Sequence, residues 1–215
     1  MNVYIFNEME VLAKVARTVN AKARQEKREL ILRQAVSIFP EHGFSGTTFS
    51  VLAKSLGISA ATILLYFDNK EELFRSAVLE PLERFRIPFL AFVNKEGTPL
   101  EKIRCMIDAH IEIAASNSSF LRLVQYVLGQ HQRFPEEAAA LYQFAGDYTA
   151  ALTTVIEEGQ KAGQLQKLNA HEVAWGYFCY IQGVGLVNTD DPSSPVWDGM
   201  RRVGIQIFAP ISSPL

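Results

Sequence analysis

Four histidines (His42, His110, His131 and His171) and two cysteines (Cys105 and Cys179) are the side chains best suited to hold a metal or move a proton, and their spacing suits neither task. A di-iron helical bundle needs Glu three residues ahead of a histidine, and a zinc hydrolase needs two histidines four apart, because only such spacings put the ligands on one helical face. No histidine here has Glu at that position, and no two are spaced to share a face. There is no glycine-rich phosphate loop, and a Ser-His-Asp arrangement has no supporting motif. The cysteines lie far apart without a CxxC and read as two buried thiols in a reducing compartment. Neither catalysis nor a bound metal or cofactor is expected.

A denser pattern runs from Thr47 to Phe67. Leu52, Leu56, Ile58, Ile63 and Tyr66 are apolar, Ala53 is small, and Gly57 falls in the gap. Two helices crossing at about 90–120° over a turn of about 3–4 residues need a small side chain where they touch, and Ala53 supplies it. Gly57 supplies the turn, being free to take positive φ. Thr47 or Thr48 caps the first helix and Ser59 the second, since their hydroxyls accept the unpartnered N–H groups of a helix start. The pattern predicts a helix-turn-helix; the alternative is an ordinary helical hairpin inside a bundle.

With these residues in place, residues 28–74 resemble the DNA-binding domain of the TetR (tetracycline-repressor-like) family. The matching positions are Ile31, Ala35 and Phe39, Gly43-Phe44, Thr47-Thr48, Leu52-Ala53, Gly57-Ile58-Ser59, Thr62, Tyr66-Phe67 and Lys70-Glu71-Glu72-Leu73. Elsewhere the likeness lies in helical layout and in Glu158–Leu165, ahead of the penultimate helix. The resemblance implies a homodimeric, ligand-responsive transcriptional regulator, usually a repressor, with double-stranded operator DNA and a small-molecule effector as partners.

One departure alters the expected recognition. After Ser59 the family carries a basic or polar residue, Gly, Thr, an aliphatic residue and a phosphate-reaching Tyr, whereas this chain reads Ala60, Ala61, Thr62, Ile63, Leu64, Leu65. With Ile63 inward, Ala61 and Leu65 point outward, flanked by Thr62 and Leu64. Readout by Arg to guanine or Asn to adenine is then absent from this helix, which leaves thymine methyls and DNA shape. The other reading is a helix-turn-helix adaptor without ligand sensing, its apolar face meeting protein. Phosphate contacts are expected from Thr47, Thr48, Thr62, Tyr66 and Lys70, with Ser59, Ala60, Ala61, Leu64 and Leu65 completing the surface.

The elements that must position these residues are helical. Apolar residues recur at three and four throughout, with no alternating strand pattern and no hairpin signal, so the fold class is all-α. Leu30, Ile31, Gln34, Ala35, Ile38 and Phe39 form one stripe over 25–42, where Pro40 should end or bend the helix and Gly43 should be its left-handed cap. Later helices are expected at Glu71–Lys95, kinked by Pro81 and Pro88, then Pro99–Ala115, Phe120–Gln132, Pro135–Ala162, His171–Asn188 and Val196–Ala209. The chain thus divides into an extension over 1–24, a DNA-binding domain over 25–74, a helical ligand-binding and dimerisation domain over 75–210, and a tail over 211–215.

Charge follows the same division. Residues 1–70 carry nine Lys/Arg against six Asp/Glu while the chain as a whole is at −2, a bias toward a polyanion at the N-terminal end. In the extension, Val11, Leu12, Val15, Ala16 and Val19 make a helical stripe beside Lys14 and Arg17. Lys22, Arg24, Lys27 and Arg28 could form a basic arm along phosphates or into a minor groove; the alternatives are a solvated helix packing on a neighbour and an over-long start with Met9 nearby. At 215 residues, with 48% hydrophobic and 20% charged, the chain can bury a core. No stretch suits a membrane span, and Asn7, Glu8 and Glu10 spoil a secretory signal, so the cytoplasm is expected.

The C-terminal part is rich in large apolar side chains, among them Phe85, Phe92, Phe120, Tyr142, Phe144, Trp175 and Tyr180. The family resemblance implies an effector cavity there, for which Phe89, Met106, His110, Tyr126, Tyr148 and Phe178 are the candidates; His110, in a helix shared with Cys105 and Glu112, is either the polar group of that cavity or a hydrogen-bonded core histidine. Gly176, Gly183 and Gly185 permit close helix approach and, with Val196–Ala209, mark the expected dimer interface.

Overall fold

The computed structural model describes residues 2–187 and 191–210, with side chains from residue 21 onward. The extension's apolar stripe, Lys14 and Arg17 therefore lie outside the described side chains, as the tail 211–215 lies outside the described residues. Among the described residues are nine α-helices: α1 (Asn2–Gly46), α2 (Phe49–Leu56), α3 (Ala60–Leu64), α4 (Lys70–Leu90), α5 (Pro99–Ser116), α6 (Ser118–Gly129), α7 (Pro135–Lys161), α8 (Ala170–Val184) and α9 (Val196–Gln206). One isolated bridge, Leu165 to Pro210, is the only strand-like pairing described.

The chain divides into two compact units, Met1–Ala77 and Val78–Leu215, with the change-over inside α4. In the N-terminal unit α1 supplies Ile31, Ala35, Ile38 and Phe39 to a core that also buries Leu52 and Ala53 of α2, Ile63 of α3, and Leu73 and Phe74 of α4. Phe39 meets Phe74 edge-on with ring centroids 4.9 Å apart, a geometry the ring quadrupoles favour. In the C-terminal unit α7 packs along α8, α5 lies against α7, α8 and α9, and α6 covers α7 and part of α5.

Sequence expectation and structure differ at several places. Gly43 does take positive φ (67°), but its ψ of 167° is extended, so it kinks α1 instead of capping it and the helix resumes to Gly46. Pro40 lies within α1 three residues before that kink, Pro81 lies within α4, and Pro88 lies near the end of α4. There α4 stops at Leu90, where tight turns (Ala91 N–H to Pro88 C=O, Val93 N–H to Leu90 C=O) replace the helical ladder expected to reach Lys95. The cysteines are not two buried thiols: Cys105 is half-buried and Cys179 exposed. Helical phase explains the second, since Tyr177 and Ile181 take the inward face of α8.

Candidate functional site

The turn between α2 and α3 has the geometry its residue types demand. Gly57 adopts φ 65° and ψ 32°, the left-handed region; its N–H reaches the Lys54 carbonyl and the Ile58 N–H reaches Ala53, the paired bonds of a Schellman motif. Thr48 is the N-cap of α2, its hydroxyl accepting from the Val51 N–H at 3.2 Å. Ser59 caps α3 by accepting from the Thr62 N–H at 3.0 Å, and the two hydroxyls lie 2.8 Å apart. Thr47 is 1% exposed and donates its hydroxyl to the Gly43 carbonyl at 2.8 Å, so its side chain points away from the surface.

The outward face of α3 is apolar. Ile63 is fully buried, whereas Leu64 and Leu65 are 51% and 66% exposed, with Ala61 exposed beside them and Ala60, Thr62 and Tyr66 half-buried. Lys70 donates to the Phe44 carbonyl at 2.9 Å and lies 4.4 Å from the centre of its ring, which places the ammonium at the start of α4.

Two residues of the basic segment serve this unit in a way the sequence did not reveal. Arg24 donates to the Leu65 carbonyl at the end of α3 (2.9 Å), with its guanidinium 5.2 Å over the Tyr66 ring. Arg28 lies 4.9 Å over Phe67. Arg24 thus closes the end of α3 and Arg28 packs on the residue just beyond it, while Lys22 is exposed beside Glu26 at 3.9 Å and Lys27 is half-buried.

The C-terminal unit holds a cavity of about 130 Å³ walled almost wholly by carbon. Leu82, Phe85 and Phe89 of α4 form one side; Ile113, Phe120, Val124, Leu141, Phe144 and Phe178 form most of the rest, with Tyr142, Trp175 and Gln182 the lining residues that carry polar atoms. Among the described residues, no Lys, Arg, Asp or Glu lines it. Of the six residues expected at an effector site, Phe89 and Phe178 do line it; Met106, His110, Tyr126 and Tyr148 do not.

His110 is the core histidine of the two readings. Its Nε2 lies 3.1 Å from the Phe89 carbonyl and its Nδ1 3.3 Å from the Tyr177 hydroxyl. A neutral ring can satisfy both by donating to Phe89 and accepting from Tyr177. It stacks on Phe89 with centroids 3.7 Å apart, and burial pushes its pKa down to about 4. It therefore holds the cavity wall in place from behind. Tyr148 is equally enclosed, donating to Met106 Sδ at 3.3 Å. The cavity-facing residues were present in the sequence as an aromatic set, but their convergence from α4, α6, α7 and α8 is a tertiary fact.

Residues 31–77 match the family model for bacterial regulatory proteins of the tetR family, and residues 96–184 match that for the tetracyclin repressor-like C-terminal domain. The chain belongs to the TetR family. It is 25% identical over 146 residues to the fatty acid metabolism regulator protein of Bacillus subtilis (strain 168), covering 68% of this chain and 74% of that one. Identity is 29% over 144 residues to the regulator RutR of Escherichia coli (strain K12), 66% and 68% of the two chains. The crystal structure of AibR with isovaleryl coenzyme A and operator DNA superposes with a TM-score of 0.69 at 17% identity, over 86% of this chain and 99% of AibR. As a TetR-family protein the chain is a DNA-binding transcriptional regulator and not an enzyme.

Two further features of this TetR-family chain bear on assembly. The outer stripe of α8 carries Trp175, Gly176, Cys179 and Gly183, all exposed, and Leu186 just past the helix is exposed too. A Cβ added at Gly176 or Gly183 would meet nothing within 4 Å, whereas at Gly185, just past α8, it would lie 2.9 Å from Leu121. The glycine that brings α9 close to α5 is Gly204, where a Cβ would stand 3.2 Å from Ile107. No described helix is long and apolar enough to cross a membrane.

Proposed function

We propose that the protein is a homodimeric, effector-responsive repressor that leaves its operator when an apolar or aromatic small molecule, or the apolar tail of a larger one, enters the cavity of the C-terminal unit. The observation that carries this reading is that Leu82, Phe85 and Phe89, one wall of the cavity, belong to the same helix that begins at Lys70 in the DNA-binding unit. An occupant that moves these side chains acts on α4 itself, and Pro81 and Pro88 have already removed two of that helix's N–H donors.

The cavity's chemistry bounds the effector. An apolar cavity of roughly 150 Å³ takes up benzene, so about 130 Å³ suits one ring or a short acyl chain. A charged headgroup finds no counter-charge on the wall and must remain outside, because an unpaired buried charge is costly. The isovaleryl coenzyme A bound by AibR is a molecule of this kind, a short branched acyl group on a large charged carrier. The dimer reading rests on the exposed α8 stripe together with Val203 of α9, a further exposed apolar side chain.

The test is a thermal-shift series with short acyl and single-ring compounds on the wild type and on Ala145→Leu, whose added carbons would occupy the cavity. Compounds that raise the wild-type melting temperature should fail on the variant. Equal shifts on both proteins would place binding elsewhere and remove the cavity as the effector site.

A further inference from the structure

We infer that α3 selects its operator through thymine methyl groups, with Leu65, Leu64 and Ala61 as the reading surface and Arg24 as the residue that positions it. The inference rests on α3 being the helix that enters the major groove.

Between Ala60 and Tyr66 there is no Arg, Lys, Asn, Gln, Asp or Glu, and these are the side chains that distinguish bases through paired hydrogen bonds. Several polar groups near α3 make bonds within the protein. Ser59 and Thr62 bond each other and share the N-cap, so at most one hydroxyl proton stays free between them, and a lone hydroxyl does not discriminate among bases. Asn69 accepts from the Glu72 N–H at 2.8 Å, Lys70 is drawn to the Phe44 carbonyl, and Arg24 is held by the Leu65 carbonyl and the Tyr66 ring. The most exposed side chains of this stretch are carbon: two adjacent leucines, each more than half exposed.

A major groove offers that surface one apolar partner, the C5 methyl of thymine. The occupant is DNA by charge as well, since the region through Lys70 carries a surplus of basic side chains, Lys54 on the exposed side of α2 included. Phosphate contacts then set register, and methyl contacts set sequence. Arg24 enters by closing the end of α3 at the very carbonyl of Leu65, which fixes where that side chain stands.

The experiment begins by selecting binders of the full-length wild type from a random DNA duplex pool. The most constrained half-site positions should be T·A pairs. The selected duplex is then rebuilt with deoxyuridine at those thymines, which removes the methyl and keeps every hydrogen-bonding group. Burial of one methyl is worth about 0.8 kcal/mol, so Kd should rise about fourfold per methyl and about 15-fold for one in each of two half-sites. Leu65→Ala and Leu64→Ala, both at exposed positions, should bind the two duplexes more nearly alike, at unchanged melting temperature. Arg24→Ala should lower this thymine-to-uridine ratio more than it lowers affinity for the uridine duplex. Equal wild-type Kd for the two duplexes, a motif constrained at G·C pairs, or a ratio that survives in both leucine variants would overturn the inference while leaving operator binding intact. A pool with no enriched sequence would instead contradict operator binding, and the methyl readout with it.

Discussion

Single residues here act through backbone geometry and burial more than through charge. Gly57 lies at positive φ with open space around it, so any cost of substitution comes from the backbone and not from a clash. Gly57→Asn, which tolerates this region, should melt close to wild type, whereas Gly57→Val should cost the N-terminal unit roughly 1–2 kcal/mol or more and weaken operator binding. Equal melting of the two variants would show that the turn does not depend on its left-handed residue. His110 makes a pH prediction with a definite sign. Its folded pKa of about 4 lies below the ordinary 6.5, so the unfolded chain takes up a proton that the folded one refuses. Stability therefore falls as pH drops from about 6.5 to 4, by up to ~3 kcal/mol at about 1.36 per unit. Wild-type melting temperature should decline more steeply across that window than that of His110→Gln; parallel declines would mean that the ring is not held neutral by the fold.

Among the elements, those legible in the sequence were built from neighbours in the chain. The α2 cap at Thr48, the α3 cap at Ser59 and the turn at Gly57 each depend on residues within three or five positions, and the order of the later helices followed from apolar spacing. What the sequence concealed depends on contacts across long separations. Arg24 and Leu65 stand 41 residues apart, so the sequence left the basic segment open between an arm for DNA and a helix packing on a neighbour, and could not show that Arg24 closes the end of α3 while Arg28 lies over Phe67. On α5, apolar spacing showed that His110 faces inward, but not that the cavity begins one turn later, at Ile113. If the Arg24 contact holds α3, Arg24→Ala should lower the stability of the N-terminal unit by about 1 kcal/mol, the size of an exposed charged hydrogen bond with a cation–π contact. Hydrogen exchange would read this as faster exchange at Tyr66 and Phe67, whose N–H groups bond the Ile63 carbonyl. Unchanged protection there would reduce Arg24 to a surface residue.

For the whole molecule, the release of operator proposed above requires that two units of one chain share a change of state. A recognition surface supplied by five helical residues reads few base pairs, and two half-sites about 34–36 Å apart are the usual remedy. Sedimentation should accordingly show a dimer at micromolar concentration, and Trp175→Glu, on the exposed stripe of α8, should shift it toward monomer; a wild-type monomer would contradict this. Release of DNA also obeys linkage: an effector that lowers operator affinity by some factor must lose affinity for the protein by the same factor once operator is bound, and tight binding alone shifts nothing. The decisive measurement is that reciprocal pair. A cavity-binding compound, chosen by its failure on Ala145→Leu, is titrated into free protein and into the protein–operator complex, and operator is titrated with and without the compound. The account predicts one common factor greater than one in both directions. A compound that occupies the cavity while leaving operator affinity unchanged would contradict it and favour an adaptor that dimerises on DNA without sensing.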